Sequence, residues 1–311
     1  MSDRVVTAFS PATVSNVACG FDVLGFPMEE PGDTVSVRFI AAGVEIDDIF
    51  DDGGRIPRDP AKNTASVAAK AMLEMLGDTR GVALTIRKGL PLSSGLGGSA
   101  ASAAAAVVAV NALAGGNASV DQLVAAALVG EGLGADGAHP DNIAPAICGG
   151  FVLVRHPNPP DIVRLPVPKG LTCVVIHPDL EVETAKARAL LGTTVPLKDA
   201  VKQWANLGAL VHALHTSDLD LLSRSLEDSI AEPRRAPLVP GLASIKKAAM
   251  DAGALGSSLS GSGPSIFALC RDRATADRVA LAMTAAVKAA IGGESQVYVS
   301  SISSRGAYVI G

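Results

Sequence analysis

The sequence predicts a two-domain chain of mixed strands and helices, on three observations. The length of 311 residues suits about two domains at roughly 100–200 residues each. Five prolines crowd residues 156–170, and such a stretch marks a boundary. It divides the chain into 1–165 and 166–311. Beyond it the pattern reads strand (171–177), a group of helices, strand (254–259), strand (265–270), helix (274–290) and strand (295–301). With the helices counted as one crossover, this is β-α-β-β-α-β, a ferredoxin-like order.

The first part opens with strand patterns at 4–9 (RVVTAF) and 33–40 (DTVSVRFI). Residues 63–76 form a helix, capped by Asn63 or Thr64 and ended by Gly77. Residues 82–87 alternate as a strand. A glycine-rich stretch, GLPLSSGLGGSA (89–100), then feeds an alanine-rich helix to about residue 113. Ser119 opens a further helix to about residue 130. A short helix (141–147) precedes the apolar strand 151–155. In the second part the crossover helices are 182–191, 198–213, 218–230 and 242–252.

Composition removes several classes of function. Hydrophobic residues make up 48% and charged residues 18%, which is incompatible with disorder. A net charge of −5 and only 3% aromatics leave neither a basic footprint nor stacking platforms for nucleic acid. The longest weakly polar run, 100–110, is too short to span a bilayer. Cys19, Cys148, Cys173 and Cys270 are far apart with no CxxC pair. They read as reduced thiols of a cytoplasmic protein. The core must be built from small aliphatic side chains.

The strongest local signal is PLSSGLGGSAA (91–101). Its glycines let backbone N–H groups approach an anion, and the helix behind offers unpaired N–H groups and its dipole. Ser93, Ser94 and Ser99 add hydroxyls. A plain glycine-rich turn is the bland alternative. A Walker pattern is absent, because no lysine follows the glycines. GLGGSA also fits the dinucleotide fingerprint GxGxxA, the basis for an NAD-dependent dehydrogenase as an alternative. It stands seven residues beyond the strand, however, and the acid in range, Asp121, lies at a helix start. Two further constellations flank the loop. PATVSNVACGFDVLG (11–25) can present an amide and a carboxylate, and GSSLSGSGPSIF (256–267) is a glycine-rich hairpin able to pack on a second such loop.

In this order the three stretches resemble the three motifs of the GHMP kinase superfamily. The first motif resembles the homoserine kinase branch, as do HPDNIAP (139–145), TAKAR (184–188) and EPRR (232–235). Two departures stand out. ACGFD (18–22) replaces the usual GPGFD, and GLGGS (95–99) replaces GLGSS, so one hydroxyl is missing from the loop.

The resemblance implies an α+β GHMP kinase fold. Its N-terminal part would resemble the second domain of ribosomal protein S5, and its C-terminal part a ferredoxin-like sandwich. It also implies ATP- and Mg²⁺-dependent phosphorylation of the side-chain hydroxyl of L-homoserine, an early step of threonine synthesis. Another GHMP kinase with a different hydroxyl acceptor is the first alternative, and a non-catalytic nucleotide binder a further one. Pro91, Ser93, Ser94, Gly95, Leu96, Gly97, Gly98, Ser99 and Ala100 would hold the phosphates, with Asn63 near the adenine. Ser99 and Glu131 would hold the metal. Arg188 and Arg235 would take the acceptor's carboxylate, Arg234 being an adjacent competitor, and Asp22 and Asn16 its ammonium. Asn142 and His139 would face the acceptor hydroxyl, and Thr184 would touch the acceptor. Asn142 would orient the hydroxyl while its proton passes to the transferred phosphate, with Asp22 as the alternative base. His212 and His215 lack a carboxylate or cysteine cluster to make a metal site. Relatives are often dimers, so a homodimer is an expectation of the resemblance alone.

Overall fold

The computed structural model describes residues 4–132 and 138–310. Its first part runs β1 (Val5–Ser15), β2 (Leu24–Ile40), β3 (Val44–Phe50), α1 (Thr64–Leu76), β4 (Gly81–Arg87), α2 (Gly98–Ala114), α3 (Val120–Glu131), α4 (Pro140–Cys148), β5 (Phe151–Pro157) and β6 (Pro160–Leu165). The second part runs β7 (Thr172–Pro178), α5 (Thr184–Ala189), α6 (Leu197–Thr216), α7 (Leu219–Ser225), α8 (Glu232–Arg235), α9 (Leu242–Asp251), β8 (Gly256–Leu259), β9 (Ile266–Cys270), α10 (Arg273–Ala290), β10 (Ser295–Ser301) and β11 (Tyr308–Ile310).

Helix α1 begins where the Asn63 carboxamide accepts from the Ala65 and Ser66 N–H groups, and it ends at Gly77 in the left-handed conformation. The α2 helix is apolar on every side and is buried on every side, as such a helix must be. Its alanines let it lie against β1, β2, α1, α3 and α4 at once. The excess of small residues is thus concentrated in the helix behind the glycine-rich loop.

The second sheet has the order β10-β7-β9-β8 and is antiparallel throughout. Numbered from β7, this is 4-1-3-2, the ferredoxin-like order that the strand and helix pattern predicts. The first sheet is ordered β11-β1-β2-β4-β3, with β5 joined to β2 and β6 to β5.

Four differences from the sequence reading have physical causes. β1 continues through Pro11 to Ser15, past a register shift at Pro11/Thr13 that absorbs the proline. The proline-rich segment is not a plain linker: Pro160–Leu165 pairs with β5, and the chain leaves the first sheet only afterwards. The last strand, β11, which the pattern does not predict, returns to pair with β1 in the first sheet. The helix expected over 218–230 stops at Ser225 because the Asp228 carboxylate accepts from the Ile230, Ala231 and Glu232 N–H groups and turns the chain into α8.

Candidate active site

A cleft of about 440 Å³ lies between the two parts. Its floor is the glycine-rich loop and the N-terminus of α2. Gly95 and Gly97 both have positive φ, near 76° and 68°, and neither has room for a side chain. A Cβ on Gly95 would stand 2.4 Å from the Ser260 carbonyl, and one on Gly97 would stand 2.1 Å from Thr13 Oγ1. The C-terminal hairpin therefore packs on the loop, as its composition allows. Ser260 Oγ donates to the Gly95 carbonyl (2.8 Å), and the Ser265 N–H donates to the Ser94 carbonyl (3.2 Å).

Pro91, Ser93, Ser94, Gly95, Gly97, Gly98 and Ser99 line the cleft. Leu96 and Ala100 do not: their side chains are buried beneath the loop. Asn63 lines the cleft while its amide is committed to capping α1 and to the Pro57 carbonyl. At the mouth Arg55 and Glu181, one from each part, form a two-bond pair of 2.5 and 2.9 Å.

Glu131, the last residue of α3, comes up beside Ser99. Burial pushes its carboxyl up to about 7, against the Ser99 hydroxyl and the Lys88 ammonium, which act in the other direction. Its Oε2 is buried with no hydrogen-bond partner. A carboxylate oxygen left unpaired at such a place, next to a hydroxyl, is a donor set for a hard cation. No cluster of three or more His, Cys, Asp or Glu occurs among the described residues. A cation here would thus draw its other ligands from phosphate and water, the habit of Mg²⁺.

The opposite end of the cleft is zwitterionic. Arg188 on α5 and Arg235 on α8 both line it, and Asp22 pairs with Arg188. Phe21 lies under both guanidiniums, 5.3 Å from each. Arg235 is buried and donates to the Gly261 carbonyl at 3.0 Å. Arg234 turns away to the Leu191 and Thr194 carbonyls. Of the two adjacent arginines, Arg235 lines the cleft and Arg234 does not. Thr184 lines the cleft with its hydroxyl against Ser262. Asn16 serves as scaffold: its Oδ1 accepts from the Asp22 N–H and its Nδ2 donates to the Gly261 carbonyl. With Val17 and Ala18 it forms a run of positive φ values, a strained turn that aims Asp22.

Between the two ends stands Asn142 in the first turn of α4, with His139 at that helix's N-terminus. Thr13 Oγ1 donates to Asn142 Oδ1 at 2.7 Å, while Nδ2 makes one long bond to Asp141 Oδ1 at 3.5 Å and keeps a second hydrogen for the cleft. Both partners stand where a Gly97 side chain would lie, so Asn142 is packed against the glycine-rich loop.

Four residues of the site escape the sequence reading. Asp141 is buried, accepts from the Ser15 hydroxyl and the Asn16 N–H, and has its carboxyl raised to about 7 by burial and by the charge of Asp22. Asp141 and Thr13 stand inside the motifs, beside residues that do carry a signal. Lys88 and Asp33 form a buried pair behind the loop, and no local pattern marks them.

The chain matches the family model for the GHMP kinases N terminal domain over residues 63–150 and that for GHMP kinases C terminal over residues 210–289. It is 47% identical to the homoserine kinase of Chlorobium phaeobacteroides (strain BS1), an alignment that takes in 99% of this chain and 100% of that one. It is 46% identical to the homoserine kinase of Chlorobaculum tepidum over 99% and 98% of the two chains. Its fold superposes on the crystal structure of homoserine kinase from Cytophaga hutchinsonii with a TM-score of 0.96 at 47% identity, covering 100% and 99% of the two chains.

Proposed function

The chain belongs to the homoserine kinase family of the GHMP kinases, and from that premise we infer that it transfers the γ-phosphoryl group of ATP to the side-chain hydroxyl of L-homoserine. One observation carries the reading. An anion-cradling helix N-terminus and a zwitterionic pocket share one cleft, and Asn142, tied to the phosphate loop, stands between them.

The backbone N–H groups at the start of α2 receive the phosphates. Glu131 and Ser99 would hold Mg²⁺, which when bound neutralises charge on the nucleotide's phosphates. Arg188 and Arg235 take the acceptor's α-carboxylate in fork geometry. Asp22 and Asp141 face its ammonium. A cation between these two carboxylates relieves their mutual repulsion. Asn142 orients the hydroxyl through Nδ2. The hydroxyl oxygen bonds to the γ-phosphorus, the bond from that phosphorus to the oxygen bridging it to ADP breaks, and the hydroxyl proton passes to the transferred phosphoryl group. Asp22 is a poor candidate for a base, since its carboxylate is paired with Arg188 before the acceptor enters and would be paired with the acceptor's ammonium afterwards.

The reaction belongs to threonine biosynthesis, and we place it in the cytoplasm. The four cysteines are free and buried, which suits a reducing compartment. No helix among the described residues is long and apolar enough to cross a membrane.

The test is a coupled ADP-release assay with homoserine, serine, threonine, mevalonate and galactose as acceptors. Turnover with homoserine well above the others is expected. Its absence overturns the reading, and turnover with mevalonate or galactose instead moves the chain to another acceptor class.

A further inference from the structure

Lys88 directly follows β4 and Asp33 lies opposite it, one residue beyond the β2–β4 pair of Thr34 with Arg87. Their side chains are 2% and 0% exposed. All three hydrogens of the Lys88 ammonium are committed: to Asp33 Oδ2, to the Gly98 carbonyl at 2.8 Å and to Ser102 Oγ at 2.8 Å. Ser102 Oγ donates in turn to Asp33 Oδ2 at 2.6 Å, and the Gly89 N–H donates to Asp33 Oδ1 at 2.9 Å. The ammonium is therefore saturated and is not a hand held out to a phosphate. The pair is also neutral as a whole, so it adds no net attraction for an anion.

Its contact with the Gly98 carbonyl is informative. That carbonyl opens the peptide unit whose N–H belongs to Ser99, one of the unpaired donors at the start of α2. In a planar trans peptide the C=O and N–H point to opposite sides. The helix points the Ser99 N–H outward from its end, and holding the Gly98 oxygen on Lys88 fixes that peptide in place beside the cleft. Ser102, one turn along α2, fixes the helix itself to the same ammonium.

We propose that Lys88, held by Asp33 and Ser102, is the positioning residue of the phosphate cradle: it acts through the Gly98 peptide and holds in place the N–H groups that receive a nucleotide's polyphosphate. The proposal rests on the kinase reading above and extends it to residues outside every motif of the chain. A buried ion pair is by itself weak evidence for stability, because an apolar pair of the same volume stabilises as well. A pair retained for positioning differs from one retained for stability in what its neutral replacement does.

The experiment compares the parent with D33N/K88M, which leaves no uncompensated charge, and with S102A, which keeps both charges. Each is titrated calorimetrically with ADP, with and without Mg²⁺, after thermal unfolding has established that it is folded. KM values for ATP and homoserine are measured in parallel. We expect D33N/K88M to bind ADP at least about tenfold more weakly and to raise the KM for ATP alike, with the KM for homoserine within about twofold. For S102A a loss of about two- to fivefold is expected. ADP affinity within about twofold of the parent in a folded D33N/K88M, or no change in S102A, overturns the proposal. Failure of the parent to turn over homoserine overturns the kinase reading instead and leaves the ADP titration to judge the cradle.

Discussion

Arg188 NH1 lies 2.5 Å from Asp22 Oδ2, so the two residues that we propose for opposite ends of the acceptor neutralise each other. Their side chains are 35% and 33% exposed, open enough for a small zwitterion to reach. On the proposed assignment an entering amino acid would exchange this one pair for two, its carboxylate on Arg188 and its ammonium on Asp22. Both exchanged bonds are charge-assisted, so little is lost in opening the pair. Arg188→Met should raise the KM for homoserine by at least about tenfold, the loss expected for a hydrogen bond to a charged group, with the KM for ATP within about twofold. Steady-state kinetics with each substrate varied in turn decides this. A rise in both KM values alike points to a collapsed cleft rather than a lost contact.

Phe21 has a related role. Two guanidiniums side by side repel, and Arg235 is buried as well. The ring of Phe21, 5.3 Å from both, offers each the negative face of its π-system. Phe21→Leu keeps the bulk and removes that face. The KM for homoserine should rise about two- to thirtyfold, the range for a cation–π contact between exposed and desolvated limits, and Phe21→Tyr should restore it. Equal kinetics in the leucine and tyrosine variants would show that the ring acts only by volume.

The kinase motifs and most of the fold are legible in the sequence because they follow local rules. Asn63 caps a helix, Gly77 ends one, and the strand order of the second half emerges from the pattern alone. β11 is illegible because three residues carry no periodicity and its pairing partner lies some 300 residues away in sequence. Lys88 and Asp33 are illegible for the same reason: what makes them a site is the register of β2 against β4. Asp141 hides in plain view, since burial against Ser15 and Asn16, not residue type, sets its character.

Gly98 stands where the family motif has serine. Its φ is not positive, and a Cβ there would meet Leu90 and Lys88 Nζ at 3.7 Å, ordinary contact distance. Nothing in the cradle requires glycine at this position, unlike Gly95 and Gly97. Gly98→Ser should therefore fold with unchanged or slightly higher melting temperature, since serine loses less backbone freedom on entering a helix. It should bind ADP as well as the parent or better. Gly97→Ser, which places its Cβ on Thr13 and Asn142, should lose most activity. Calorimetric ADP titration of both variants checks the contrast, and equal tolerance at the two positions would contradict the geometry.

Asp141 makes stability depend on pH with a definite sign. Its carboxyl is raised from an ordinary 3.8 to about 7, first by burial and then by the charge of Asp22. Between about pH 4 and 7 the folded protein therefore holds a proton that the unfolded chain has released. Stability rises with pH where the unfolded state binds more protons, so here it must fall as pH rises through this window. Asp141→Asn removes the titration while its amide oxygen can still accept from the Ser15 hydroxyl and the Asn16 N–H. The variant and the parent should be close in stability near pH 4. The variant should gain steadily to about pH 7 and then hold a constant advantage on the order of 4 kcal/mol, because holding a proton against its release costs about 1.4 kcal/mol for each pH interval of one. Glu131, also raised to about 7, leaves a parallel decline in both proteins, so the difference between them isolates Asp141. Denaturant unfolding at pH 4.5, 6 and 8 measures that difference. A gap that stays constant across the three would mean that Asp141 is ionised in the folded protein throughout, and the acceptor end of the cleft would then carry two full negative charges before the ammonium arrives.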